Sequence, residues 1–291
     1  MVTTLFSRGI HYSSILRSHS NPLGLPKIPR MSQNLPVKSA IPGVKKILLV
    51  SSGKGGVGKS TISANLALSF QKLGLTAGLL DADIFGPSVP KLFNIDGEPR
   101  ISDQGKLIPK TNYGLQTMSM GYLIPTEESA IAWRGMMVMK ALQQLLFDVA
   151  WRNVDILVID MPPGTGDTQL SIGQLLKVNG AVVVSTPQDL SLIDAKKGIT
   201  MFRKMKIPIL GLVENMSYFE CPNCHHESHI FGNLGVQAEA KKQEVELLGF
   251  LPLVKEVREQ SDLGKPVAVS NASSEVSLKF LEIAKKVASK L

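Results

Sequence analysis

Cysteine is almost missing from this chain of 291 residues: Cys221 and Cys224 are the only two. Two thiols cannot build a disulfide framework, and one copy of the chain cannot supply four thiolates to a metal or cluster. Long apolar runs are missing too. No stretch approaches the ~18 residues that cross a bilayer, so no integral membrane segment is expected. Acid is missing from a whole region: no Asp or Glu precedes Asp81, while Arg8, Arg17, Lys27 and Arg30 fall within the first thirty residues. The formal charge of +8 would by itself suggest a polyanionic partner, but without those four cations it is +4. That value is ordinary for a soluble enzyme, and no nucleic-acid partner is expected.

The acid-free start, residues 1–36, is rich in Ser and Arg and lacks the continuous apolar core of a secretory signal. Leu5, Ile10, Ile15 and Leu16 lie among basic and hydroxyl residues, the pattern of an amphipathic organelle transit peptide. Pro22, Pro26, Pro29 and Pro36 interrupt any helix, so folded structure is expected from about Lys45. The expected organisation is a transit segment over 1–36 and one domain over 37–291. The expected address is the mitochondrial matrix.

What the chain does have is glycine at one telling place. Gly53-Lys-Gly-Gly-Val-Gly-Lys-Ser60 fits the phosphate-binding pattern G-x-x-x-x-G-K-S/T, between an apolar run, Lys46–Ser52, and a helical segment opening Ser60-Thr61-Ile62. Gly53, Gly55, Gly56 and Gly58 let the backbone turn so that the N–H groups of the loop, Lys54 and Val57 included, face a triphosphate. The helix start around Ser60 and Thr61 adds its positive dipole end. Lys59 is expected to reach the β- and γ-phosphates, and the Ser60 hydroxyl to hold Mg²⁺.

Beyond the loop, apolar runs alternate with helical patterns, which reads as an α/β domain with a mostly parallel sheet of about seven or eight strands covered on both faces. Strands are expected at Leu75–Asp81, Leu115–Met120, Asp155–Asp160, Gly180–Thr186, Ile207–Val213 and Leu247–Leu251. Helices are expected at Gly135–Trp151, Thr168–Lys177, Leu190–Lys204, Leu234–Glu244 and Ser273–Leu291. No internal repeat and no domain linker stands out. Ligands of such sheets gather at the carboxyl ends of the strands, where the acids fall. Asp160 ends an apolar strand as a magnesium-binding Walker B aspartate should. Gly164, in Pro-Pro-Gly, can bring a backbone N–H to a γ-phosphate without a side chain in the way.

The second chemical feature is Glu220-Cys-Pro-Asn-Cys-His-His-Glu-Ser-His229, with the two cysteines at metal-ligand spacing. Three completions are open. His225, His226 or His229 can join them in a one-chain zinc site. The pair can act as a redox dithiol, although the strand–CxxC–helix context of that chemistry is absent. Or a two-fold dimer can bring two pairs together as the four thiolates of a 4Fe–4S cluster.

Lys54 sits too near the turn to fold back on its own phosphates, and a cation there can reach a nucleotide across a two-fold axis. Its segment resembles the deviant Walker A signature K-G-G-x-G-K-S/T of the MinD, ParA, nitrogenase iron protein and Mrp/ApbC ATPases. With Asp81-Ala-Asp-Ile-Phe-Gly-Pro-Ser88, Asp160-Met-Pro-Pro-Gly-Thr-Gly-Asp167 and Asn215-Met-Ser-Tyr-Phe-Glu-Cys-Pro-Asn-Cys224, the resemblance covers about Lys45 to Leu291 and narrows to the Mrp/ApbC branch. It implies that Lys54 acts in trans in a homodimer, that Asp83 orients the attacking water, and that Asn215 reads adenine, favouring ATP. Asp81 is expected as a supporting group around Mg²⁺. The same resemblance implies that Cys221 and Cys224 hold a labile 4Fe–4S cluster bridging two subunits and pass it to apo iron–sulfur proteins. The transit-like start, and the lack of N-terminal cysteines, are most similar to the mitochondrial member that serves respiratory complex I. Contact with the inner membrane would be peripheral at most.

Two rival readings remain. A MinD- or ParA-like positioning ATPase with a structural zinc would use the terminal stripe Val276, Phe280, Ile283, Val287 and Leu291 as a membrane face, although such stripes more often pack on a core. A nitrogenase-like reductase also bridges a cluster across a dimer, but draws its cysteines from separate segments.

Overall fold

The computed structural model describes residues 38–123 and 135–291; the transit-segment expectation, on residues 1–36, lies outside them. In chain order the elements are β1 (Val44–Ser52), α1 (Lys59–Lys72), β2 (Ala77–Asp81), α2 (Val89–Phe93), β3 (Lys110–Asn112), β4 (Leu115–Ser119), α3 (Gly135–Phe147), β5 (Val154–Asp160) and α4 (Asp167–Leu175). There follow β6 (Gly180–Ser185), α5 (Asp189–Lys204), β7 (Ile209–Glu214), β8 (Phe219–Glu220), β9 (Glu227–Ser228), α6 (Gly235–Lys242), β10 (Leu247–Phe250), α7 (Lys255–Asp262), α8 (Val267–Ser270) and α9 (Glu275–Ala288).

Eight strands form one sheet in the order β10-β7-β6-β1-β5-β2-β4-β3. Every pairing is parallel except β3 with β4. This is the expected mostly parallel sheet. Every residue of β2 and β6 is buried, as happens when helices cover both faces and the strands read as continuous apolar runs. Helix α1 lies deep in this arrangement: Ile62, Ala64, Leu66, Ala67 and Phe70 are all buried. Helix α9 packs on α1 and β10; of the stripe Val276, Phe280, Ile283, Val287 and Leu291 the first four are buried and Leu291 is half-buried, so the stripe closes the core.

Six short elements escape the sequence pattern: α2, β3, α7, α8 and the two strands of the hairpin, β8 and β9. Helix α7 shows why. It buries none of its residues, and its register is supported by the i,i+4 pairs Lys255–Glu259 at 3.1 Å and Arg258–Asp262 at 2.9 Å. Val257 is its single apolar residue, packed on the core, so there is no period to read. Helix α3 also stops short of the expected Trp151. Leu107 draws the next residues into extended backbone, accepting from Ala150 N and donating to Asp148 O, each at 2.8 Å.

Candidate functional site

β1 ends in the middle of the sheet, between β5 and β6, and the chain turns through Gly53–Ser60 into α1. Gly56 and Gly58 sit at φ +80° and +82°, where side chains are strained. The loop is also held from behind. A Cβ on Gly53 would come 2.1 Å from the Asp194 backbone, and one on Gly58 would come 2.2 Å from Asn215 Nδ2. Around Gly55 and Gly56 there is open space. Gly58 caps α1 with no side-chain acceptor, so the first-turn N–H groups face outward for an anion.

Lys59, only 6% exposed, donates to Asp160 Oδ1 at 2.7 Å and touches Ser60 Oγ at 3.3 Å. Ser63 Oγ donates to the same Asp160 oxygen at 2.8 Å. Asp160 Oδ2 is buried with no hydrogen-bond partner. One ammonium thus brings a carboxylate and a hydroxyl together beside an orphaned oxygen, a hard-oxygen donor set that suits Mg²⁺. Ser63 was not singled out from the sequence, yet it stands four residues after Lys59 on the same helix face.

Next to Asp160 across the sheet lies Asp81, fully buried. Its Oδ2 accepts from Ser88 N at 2.9 Å, Val89 N at 3.1 Å and Ser119 Oγ at 3.0 Å; its Oδ1 accepts from Asp83 N at 3.1 Å. Both oxygens are therefore engaged by the loop that carries Asp83 and by the start of α2, a tighter local role than that of a group around a metal. Burial pushes Asp81 up to about 7, helped by the Asp160 carboxylate and opposed by the Val89 amide, Lys59 and the Asp83 amide. Asp83 itself is half-buried, accepts from Gly86 N at 3.3 Å, and is raised chiefly by burial against the pull of Lys59.

Gly164, at φ +91°, donates its N–H to Ser52 O at 3.0 Å, immediately before the phosphate loop. Lys54, half-buried, donates to Gln188 Oε1 of its own chain at 3.2 Å. Asn215 donates from Nδ2 to Val57 O at 2.8 Å, so it seats the loop as well as facing the cleft. The cleft, of about 620 Å³, runs from Lys54, Lys59, Ser60, Thr61 and Asp83 to an apolar wall of Leu251, Pro252 and Val254. That wall, between β10 and α7, carries no motif and was not legible in the sequence.

The cysteines stand at the tip of the β8–β9 hairpin. Cys221 N donates to His226 O at 3.1 Å, and His225 N donates to Cys221 O at 2.9 Å with His225 at φ +56°. The backbone N–H groups of Asn223 and Cys224 face the Cys221 thiol and hold it below its ordinary value, with a smaller pull from the Cys224 side chain. Cys224 is exposed and both thiols are free. His225 Nδ1 lies 2.6 Å from Glu220 Oε1, and His229 Nδ1 donates to Ser217 O at 3.0 Å. Among the described residues no three His, Cys, Asp or Glu side chains converge as a metal site. The hairpin is tied to the cleft wall: Ser217 N donates to Leu251 O at 3.0 Å and Leu253 N to Tyr218 O at 2.7 Å.

Comparison with known proteins follows the same lines. A family model described as ParA: NUBPL iron-transfer P-loop NTPase matches residues 43–288. The chain is 48% identical over 263 residues to the iron-sulfur cluster transfer protein NUBPL of Mus musculus, covering 90% of this chain and 82% of that one. It is 52% identical over 246 residues to the Arabidopsis thaliana iron-sulfur protein required for NADH dehydrogenase, mitochondrial, covering 84% and 78%. Among solved structures, a nucleotide-binding protein from Archaeoglobus fulgidus in complex with ADP is 38% identical with a TM-score of 0.69, over 82% of this chain and 93% of its own. The Pyrococcus furiosus cell division ATPase MinD, 21% identical at a TM-score of 0.61, shares the fold over 84% of this chain and 98% of its own.

Proposed function

The chain belongs to the ParA/NUBPL iron-transfer family of P-loop NTPases, and on that basis we propose that it is an ATP hydrolase that carries iron–sulfur clusters to apo-proteins. The cargo is a labile 4Fe–4S cluster held between two copies of the chain, each contributing Cys221 and Cys224. The recipients are apo iron–sulfur proteins, subunits of respiratory complex I among them, as the name of the plant relative suggests. The working place is the mitochondrial matrix, with residues 1–36 as the transit segment.

The observation that carries this reading is the tie between the two sites. The segment that leaves β7 at Glu214 passes Asn215 on the cleft floor and reaches Cys221 six residues later, hydrogen-bonded on the way to Leu251 and Leu253. A shift in the cleft wall is thus transmitted to the thiolates through a few backbone bonds. Lys59 and the α1 N-terminus would bind the phosphates, Ser60 and Asp160 would hold Mg²⁺, and Asp83 would orient the attacking water. When bound, Mg²⁺ neutralises phosphate charge as it develops. Lys54 leaves Gln188 and reaches the partner's nucleotide as the dimer closes, and hydrolysis lets the closed state relax and loosens the cluster.

The dimeric bridge is supported by ligand arithmetic. Two thiolates per chain meet no third ligand among the described residues, and a cubane takes four. Anaerobic reconstitution of the full chain tests it. About four irons per dimer are expected, lost in both Cys221→Ser and Cys224→Ser, because symmetry removes two ligands at once. ATP binding should survive in both variants. One zinc per chain, dependent on His225, His226 or His229, would replace the carrier reading with a structural one.

A further inference from the structure

Gln169 lies in the first turn of α4 and is 3% exposed, a long amide kept almost wholly from water. Its Nε2 donates to Pro162 O at 3.1 Å and to Pro163 O at 2.6 Å. Neither proline has an N–H, so the loop Pro162–Gly166 has little with which to satisfy its own inward carbonyls. The carboxamide fills the inside of that loop: a Cβ on Gly166 would stand 3.3 Å from Gln169 Oε1 and one on Gly164 3.9 Å from Gln169 Nε2.

The second of those carbonyls matters most. Pro163 C=O and Gly164 N–H belong to one peptide unit, and in a planar trans peptide they point in opposite directions. Holding the oxygen on Gln169 therefore aims the hydrogen the other way, toward the end of β1, where it meets Ser52 O at 3.0 Å. Glycine at φ +91° offers little resistance to rotation of the whole peptide, and such a flip would turn the N–H away from the phosphate loop. We propose that Gln169 is a positioning residue for ATP hydrolysis, locking the Pro163–Gly164 peptide so that the Gly164 N–H stays on the phosphate-loop side, on Ser52 O at rest and available to the γ-phosphate when ATP binds. This rests on the reading that Gly164 N–H leaves Ser52 O for the γ-phosphate when ATP binds.

The test compares Gln169→Leu, which removes the donor, with Gln169→Glu, which keeps the shape and replaces the donor by oxygens facing two carbonyls. Loss of one oriented donor is worth about 10²-fold in kcat; both variants should fall by about that much at pH 8, with ADP affinity changed less than about threefold. The preference for ATP over ADP should shrink in both. A carboxyl packed against carbonyl oxygens takes up a proton readily and then donates again. As the pH falls from about 8 to about 6, Gln169→Glu should regain activity relative to wild type while Gln169→Leu should not. Wild-type kcat with an unchanged ATP/ADP preference in the folded variants overturns the proposal. So does a parallel loss of ADP affinity and turnover without rescue at low pH, the mark of general loosening. An inactive wild type would instead defeat the hydrolysis reading, and the ATP/ADP affinity ratio would still judge Gln169.

Discussion

At the nucleotide cleft, Lys59 and Asp160 are 6% and 0% exposed and locked together at 2.7 Å, with Ser63 on the same carboxylate. At the hairpin, Cys224 is exposed, and the His225–Glu220 contact at 2.6 Å has a histidine side chain 76% exposed. The first site is organised within one chain before any ligand arrives. The second offers two thiols on a short loop, and among the described residues no third His, Cys, Asp or Glu side chain converges on them. A site that must grip a charged substrate repeatedly benefits from fixed dipoles in a dry place. A site that must release its cargo benefits from open, exchangeable ligands. The two differ in dielectric as well as in shape, and the difference can be measured.

The largest contrast is expected from Lys59→Ala against His225→Ala. The first leaves the Asp160 carboxylate buried without its cation, a loss of about 3–5 kcal/mol, and abolishes ATP binding. The second touches an exposed pair worth at most about 1 kcal/mol. Denaturant unfolding and ATP titration of both variants check this, and similar stability losses would erase the contrast. Next comes Lys54→Ala. The Lys54 ammonium donates to Gln188 and to no phosphate-loop group among the described residues, so nucleotide binding should hold while turnover falls by about 10³-fold, as when an arginine finger is removed. Hydrolysis at the wild-type rate would end the role in trans.

The smallest effect concerns Asp81. Its carboxyl is raised to about 7 in the folded chain from an ordinary 3.8, so the folded state holds this proton more tightly than the unfolded one. This contribution to stability is present below about pH 4 and declines as the pH rises to about 7. Asp81→Asn should remove that slope. It should also cost about 1–3 kcal/mol, because one amide oxygen replaces two carboxylate oxygens that serve four donors. Unfolding midpoints at several pH values measure both. A variant with the wild-type slope would show that Asp83, also raised by burial, carries the dependence.

The phosphate loop was legible because its requirements are local. Positive φ at Gly56 and Gly58 needs glycine whatever surrounds it. The central strands were legible because burial on both faces leaves continuous apolar runs, as in β2 and β6. The clamps on the neighbouring loops were not. Gln169 looks like any helical glutamine, and Asp81 reads equally well as a metal neighbour until the amides of Ser88 and Val89 are seen on its oxygens. Helix α7 and the apolar cleft wall before it carry no motif at all.

The sequence by itself determined a phosphate-loop turn between strand and helix, an α/β domain with a mostly parallel sheet, and a thiol pair too small to supply four ligands alone. These follow from backbone sterics, apolar periodicity and ligand counting, which act over a few residues. Only the tertiary structure decided which carboxylate meets Lys59, a contact across 101 positions of chain. It also decided that β5 lies between β1 and β2, bringing Asp81 and Asp160 side by side, and that the hairpin is bonded to the cleft wall. Such pairings depend on strand order and register. Those are chosen by the packing of the whole core, since no short segment contains both partners.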